Sequence, residues 1–210
     1  MALLRMHTTF RFLLLAGLAS ALCACATSPQ QPRSTAHLEI QDAVGFTITE
    51  EARVSNDVRA DYQHALSLLE QGRNAEGVAL LESVAAAAPE LSAPRIDLGI
   101  AYHQGGDLDR AEQSLQAALA LNPAHPIAYN ELGIVYRERG RFAEARKSYE
   151  AALQIYPGYH FARRNLAILC DLYLADLSCA LDNYEAYLAT VKSDEEASMW
   201  VADIRNRMNQ

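Results

Sequence analysis

Pro89, Pro123 and Pro157 stand 34 residues apart, twice over. Self-similarity at such a period marks a chain built from one supersecondary unit used several times. Each unit leaves an apolar face that only its neighbours can bury, so the period restricts the fold to a stacked array. Other positions fall into register with the prolines. Gly99 and Gly133 lie 24 residues before the proline, with Leu98 and Leu132 ahead of them and Tyr102 and Tyr136 three residues after. Ala111 and Ala145 lie 12 before it, and Ala118 and Ala152 five before it. Gly72, Gly106 and Gly140 divide each unit.

The physical content of that register is a helical hairpin. Ala and Leu are abundant and β-branched residues never alternate over a long stretch, which points to helices. Each unit reads as two amphipathic helices broken at a Gly-containing turn. The small residues Gly99 with Ala111, or Gly133 with Ala145, sit where the helices cross. Tyr102 or Tyr136 fills the adjoining space, and the proline stops the second helix.

This pattern resembles the tetratricopeptide repeat family over most of the chain beyond the N-terminal segment. The resemblance implies an all-α fold: a tetratricopeptide-repeat solenoid of four helical hairpins, about 55–91, 92–125, 126–159 and 160–192, plus a C-terminal capping helix over 193–210. The first unit is degenerate, with Ala65, Gly77 and Leu68 in place of the usual Gly, Ala and Tyr. In the fourth, Leu166, Ala167 and Cys170 take the places of Leu132, Gly133 and Tyr136, and Ala180 and Tyr184 match after a one-residue insertion. Ser193 and Glu196 form a capping box. Ala197, Trp200, Val201, Ile204 and Met208 then lie on one helical face, as a cap over the last apolar surface requires.

No residue set carries chemistry: there is no Gly-rich phosphate loop, no hydrolase serine motif and no pair of ligands at metal spacing. The reading is of a chain that is not an enzyme, with no cofactor and no metal. What remains is a second stripe on the first helix of each hairpin: Tyr62, Leu66 and Leu69; Ile96, Ile100 and His103; Asn130, Ile134 and Arg137; Arg164, Ile168 and Asp171. By the family resemblance this stripe lines a concave groove that holds an extended peptide or a partner helix. Two readings stand for the aliphatics Leu66, Ile100, Ile134 and Ile168, contact with a partner or packing between helices. The polar members Asn130, Arg137 and Arg164 are not demanded by packing and suit a peptide backbone or carboxylate. Asn130 and Asn165 are present, but the full Lys/Asn/Arg set of chaperone-binding members is not, which disfavours a chaperone tail as ligand.

The N-terminus carries Arg5 and Arg11 and no acid, then an apolar run from Phe12 to Leu22. That run is shorter than the ~20 residues of a membrane-spanning helix and reads as a signal peptide over 1–24. Leu22, Cys23, Ala24 and Cys25 resemble a bacterial lipobox, which implies lipidation at Cys25. With Ala26 after it, the resemblance to enterobacterial lipoproteins implies the periplasmic side of the outer membrane, reached through the lipid only. Residues 25–49 read as a flexible tether, polar and Pro-bearing at first; His37–Ile48 admits a short extended segment lying on the folded domain. Thr49 or Ser55 caps the first helix. Without the two arginines of the signal, 16 basic residues face 26 acidic ones, a net charge of −10, and no basic stripe invites nucleic acid.

Cys170 and Cys179 face each other across the turn of the last hairpin. In an oxidising compartment they pair as a disulfide with no thiol left over; the alternative is two buried free thiols. Two function classes stand. The first is a lipid-anchored periplasmic protein–protein interaction scaffold or assembly factor for an envelope complex, such as a pilus, secretion or energy-coupled transport system. The second is an accessory module that binds a cell-wall or small-molecule ligand, or recruits an envelope enzyme, through the aromatic cluster Tyr156, Tyr159 and Phe161.

Overall fold

The computed structural model describes residues 35–41, 45–51 and 54–210; the signal segment, Cys25 and the start of the tether lie outside them. Among the described residues a two-stranded hairpin, β1 (Thr35–Gln41) and β2 (Gly45–Glu51), precedes nine helices. The helices are α1 (Asn56–Glu70), α2 (Asn74–Ala87), α3 (Ala93–Gln104), α4 (Leu108–Leu121), α5 (Pro126–Glu138), α6 (Phe142–Ile155), α7 (His160–Leu172), α8 (Leu177–Thr190) and α9 (Glu195–Met208). They pair as α1/α2, α3/α4, α5/α6 and α7/α8, each helix packs on the next in sequence, and α9 packs on α8. This is a helical solenoid of repeats. No described helix is long and apolar enough to cross a membrane.

Caps and turns explain where the helices start and stop. The side chains of Ser55, Asp107, Asp176 and Asp194 accept hydrogen bonds from first-turn amides of α1, α4, α8 and α9, satisfying donors that an α-helix leaves unpaired. Of the two caps considered for α1, Ser55 serves; Thr49 lies in β2. The cap of α9 is Asp194, one residue beyond Ser193, so the Ser193/Glu196 box does not form. A carboxylate at Asp194 accepts from Ala197 N at 2.9 Å and from the Tyr187 hydroxyl at 2.8 Å, a two-sided anchor that Ser193 lacks.

Between the helices of each of the first three hairpins, Gly72, Gly106 and Gly140 adopt φ of +76°, +78° and +74°, the left-handed conformation that only glycine enters freely. The next amide then reaches back to a carbonyl of the first helix, Asp107 N to Tyr102 O at 2.9 Å and Arg141 N to Tyr136 O at 2.8 Å. The fourth hairpin keeps the manoeuvre without the glycine. Ala175 sits at φ +51°, and Asp176 N bonds Cys170 O at 2.9 Å. Cys170 and Cys179 are joined as a disulfide across this turn, their Cα atoms 5.8 Å apart.

The small residues mark the helix crossings. A Cβ on Gly133 would stand 2.5 Å from the Tyr149 ring, and one on Gly99 2.5 Å from Leu115. In the first hairpin the small residue has moved to the second helix, where a Cβ on Gly77 would meet Leu69 at 2.7 Å. Tyr149 and Leu115 are fully buried, so neither can swing aside.

The β-hairpin departs from the expected tether over 25–49. Leu38, Ile40, Phe46 and Ile48 alternate with polar residues, the period of a half-buried strand, and the Cα register pairs Leu38 with Ile48 and Ile40 with Phe46. The strands belong to a fold that is otherwise the all-α solenoid.

Two outcomes test this account. Gly133→Leu should cost about 3 kcal/mol through overpacking, lowering Tm by about 10 °C for a domain of this size; unchanged melting would mean that the helices do not cross there. Ala175→Gly should stabilise by about 0.5–1 kcal/mol. Relief of a left-handed L-residue is worth roughly 1–2 kcal/mol, offset by about 0.4–1 kcal/mol of extra chain entropy in the unfolded state. A lower Tm for that variant would remove strain from the turn.

Candidate functional site

The first helices of the hairpins lie side by side, with α3 touching α5 and α5 touching α7. One repeat period brings each position beside its neighbour's, and the polar contacts obey a simple rule. Tyr62 donates to Asp97 at 2.5 Å, His103 Nε2 meets Glu138 at 3.0 Å, and Asn165 donates to Asn130 at 2.9 Å. Each pair is separated by 35 residues, one period plus one. The second helices α2 and α4 are bonded to the next hairpin at separation 20: Tyr102 of α3 donates to Glu82 of α2, and Gln116 of α4 donates to the Tyr136 hydroxyl of α5 at 3.1 Å; within the fourth hairpin Arg163 of α7 donates to Asn183 of α8 at 3.1 Å. Arg110 and Arg141 lie over the rings of Tyr102 and Tyr136, each 4.3 Å from the centroid, a favourable cation–π placement.

These ladders sort the stripe residues. Asn130 is 2% exposed; it accepts from Asn165 and donates to Glu131 at 3.0 Å. It is therefore a link between α5 and α7 and does not present itself to a partner. Its amide is matched by Asn165 of the next repeat and by Glu131 beside it, and spacing on one helix does not reveal the first of these. Tyr62 and His103 are engaged in the same way. Burial raises the Tyr62 hydroxyl well above its usual range, with the Asp97 carboxylate adding to the shift, and burial raises Asp97 against the opposing Tyr62 hydrogen bond. The Tyr62 hydroxyl thus stays neutral and donates to Asp97. Ile96 is buried, and Ile100, Ile134 and Ile168 pack partly buried against the core.

Arg137 and Arg164 are different. Neither is engaged by a carboxylate among the described residues. The Nε of Arg137 is buried without a hydrogen-bond partner, as is the Tyr149 hydroxyl. Arg164 lies with its guanidinium 5.5 Å from the Trp200 ring of α9. The structure does not gather all the stripe residues into one site. It joins Tyr62, Ile96 and Ile100 in one cleft and leaves the two arginines further along the array.

That cleft, about 280 Å³, is lined by Phe46, Ile48, Tyr62, Ile96, Ile100 and Ile127 among others. Two of these residues come from β2, which alternation in the sequence alone could have flagged. Phe46 sets its ring edge-on against Tyr156 at 5.0 Å and Tyr159 at 5.3 Å, an arrangement aromatic rings favour. The carboxylate of Glu50 accepts from Ser92 N at 3.0 Å, from Ala93 N at 3.3 Å and from the Ser92 hydroxyl. It thereby takes the role of a cap at the N-terminus of α3, where the helix dipole favours an anion. His125 opens α5, its Nδ1 accepting from Ala128 N at 3.3 Å. Burial lowers its pKa to about 4, so it stays a neutral acceptor at ordinary pH.

The one cluster of possible metal donors among the described residues is Cys170, Asp176 and Cys179, and its two sulfurs are bonded to each other. What the face can do chemically is hold an extended chain by apolar pockets, ring edges and amide donors.

The tetratricopeptide repeat model matches residues 62–113 and 96–160. No curated protein matches the chain. Among solved structures, MamA from Desulfovibrio magneticus RS-1 is similar in fold, with TM-score 0.67 and 18% identity over 75% of this chain and 88% of that one. Pseudomonas aeruginosa PilF gives TM-score 0.66 and 19% identity over 72% and 69%. The first repeat domain of Spaghetti (RPAP3), bound to an HSP90 peptide, gives TM-score 0.54 and 19% identity over 57% and 96%. Together the matched repeats over 62–160 and the likeness in fold make Asn56–Met208 a helical solenoid of repeats similar to tetratricopeptide repeats.

Proposed function

We propose that this chain is a protein–protein interaction scaffold or assembly factor, held at the periplasmic side of the outer membrane by a lipid on Cys25 and serving an envelope complex. The observation that carries the binding role is that an extended segment, β2, already lies against α1, α3, α5 and the α6–α7 junction, with Glu50 on the Ser92 and Ala93 amides, Ile48 in the cleft and Phe46 on two tyrosines. A surface that seats a strand in this way has the chemistry for a partner's strand. The likeness to PilF and MamA supports the solenoid, and a pilus, secretion or energy-coupled transport system stands as the setting on the lipobox resemblance alone. The accessory-module reading is the weaker one: the aromatic cluster that it would use is filled by Phe46 against Tyr156 and Tyr159.

The partner surface includes the two arginines without a carboxylate. Their cost in the absence of a ligand is a desolvated or merely stacked cation, and a partner carboxylate would relieve it. Capture of envelope proteins from detergent extracts by the purified chain, with mass-spectrometric identification, is the direct test. Arg137→Gln combined with Arg164→Gln should weaken the recovered complex by about tenfold or more, the scale of losing a charged anchor, while circular dichroism stays unchanged. Undiminished binding would place the partner elsewhere.

The anchor has its own test. Cys25→Ser should abolish acylation and move the protein from the membrane to the soluble fraction on cell fractionation. A lipid-sized mass increment retained on the variant would overturn the assignment.

A further inference from the structure

Glu50, Ile48 and Phe46, every second residue of β2, step along the array from the start of the second hairpin to the end of the third. Glu50 caps the start of α3, Ile48 lies in the cleft with Ile96 and Ile127, and Phe46 meets Tyr156 and Tyr159 between α6 and α7. β2 therefore runs antiparallel to the order of the repeats. A strand rises about 6.8 Å every two residues and helices pack about 8–10 Å apart, so alternate side chains step along the array.

The strand is an addition to the solenoid. The crossings at Gly99 and Gly133, the turn glycines and the 35- and 20-residue ladders are complete without it. The site beneath it is not complete without an occupant. Ser92 is fully buried, its hydroxyl makes no cap bond to its own helix, and it bonds the Glu50 carboxylate instead. Withdrawing Glu50 would take away the acceptor that the amides of Ser92 and Ala93 and that hydroxyl share. Whatever replaces β2 must bring an anionic acceptor to that place, an aliphatic side chain to the cleft and an aromatic ring to the two tyrosines.

We infer that β2 is an intramolecular occupant of a strand-binding site, and that the site takes in trans an extended partner segment of the pattern aromatic-x-aliphatic-x-carboxylate, which displaces β2. This rests on the scaffold reading and names the chemistry of its partner. Attachment through the chain gives β2 an effective concentration in the millimolar range. A partner segment therefore binds with its affinity reduced by the fraction of molecules whose site is open.

The probe is a fluorescent peptide of the sequence of Gly45–Glu51, titrated into the full chain and into the full chain carrying Phe46→Ala, Ile48→Ala and Glu50→Ala. The variant should bind the peptide at least about tenfold tighter than the unaltered chain, as an open fraction below about one tenth requires. The same peptide with glutamine at the Glu50 position should bind the variant at least about tenfold more weakly. A variant with native circular dichroism that binds no more tightly than the unaltered chain, or that ignores the glutamine change, overturns the inference. Hydrogen exchange on the unaltered chain covers a variant that does not fold. Saturating peptide should accelerate exchange of the β2 amides, and exchange left unchanged rejects displacement. If the peptide fails while Arg137→Gln with Arg164→Gln still weakens partner capture, the scaffold reading survives and this inference does not.

Discussion

The crossing of the two helices inside each hairpin is the contact on which the rest depends. At Gly133 the absent Cβ is replaced by the Tyr149 ring, and at Gly99 by Leu115. Both fillers are fully buried, so they lock the angle and depth at which the helices meet. A hairpin of fixed shape presents the same apolar surface each time, and the next hairpin packs on it in the same way. The alignment of α1, α3, α5 and α7 on one face follows from that repetition, as do the hydrogen bonds that recur between one repeat and the next.

Those recurring bonds change the meaning of a polar stripe. In an isolated helix, Tyr62, His103 and Asn130 read as groups turned toward a ligand. In the array, each finds its partner one period and one residue later, in Asp97, Glu138 and Asn165. Asn130 is buried, and a buried polar group is matched or costly; all three pairs fix the register of neighbouring repeats. The position 35 residues after Arg137 is Leu172, and after Arg164 it is Met199. The ladder rule therefore leaves the two arginines without a carboxylate partner. The polar surface left over for binding is narrower than the stripe and more basic.

How much of this was legible in the sequence depends on periodicity. The first three hairpins, their turns and their crossings are written at a period of 34 that the prolines and glycines expose, while the fourth shows through its offset matches and the capping helix through its apolar face. The pairing of Cys170 with Cys179 follows from the geometry of one hairpin turn. The occupancy of the face was not legible, because it depends on a contact 42 residues apart, Glu50 with Ser92, between a strand and an array that share no repeat. The alternation of Leu38, Ile40, Phe46 and Ile48 was the available signal. It was masked by its setting beside a Pro- and Gln-bearing stretch. Asn130 was misread because amphipathic spacing shows which side of a helix a residue is on, while a neighbouring helix decides whether that side is open.

The fourth hairpin shows what the array does when its own rule fails. The insertion lengthens the turn by one residue, and no glycine is present to take the left-handed position, so Ala175 takes it. The tyrosine that fills the space in the middle repeats is replaced by Cys170, fully buried and smaller. Each change weakens the hairpin, and this is the unit that must also carry α9. The disulfide offsets both at the same place. Closing so short a loop restricts the unfolded chain by about 2–3 kcal/mol in the entropic model, and the bond ties the end of α7 to the start of α8, where the missing ring would have held them. Asp176 completes the repair from outside, capping α8 through Cys179 N at 3.1 Å and accepting from Arg146 of α6 at 3.1 Å. The last turn is thus fastened covalently to its own hairpin and ionically to the one before, so that α8 is a firm enough platform for α9 to close the array.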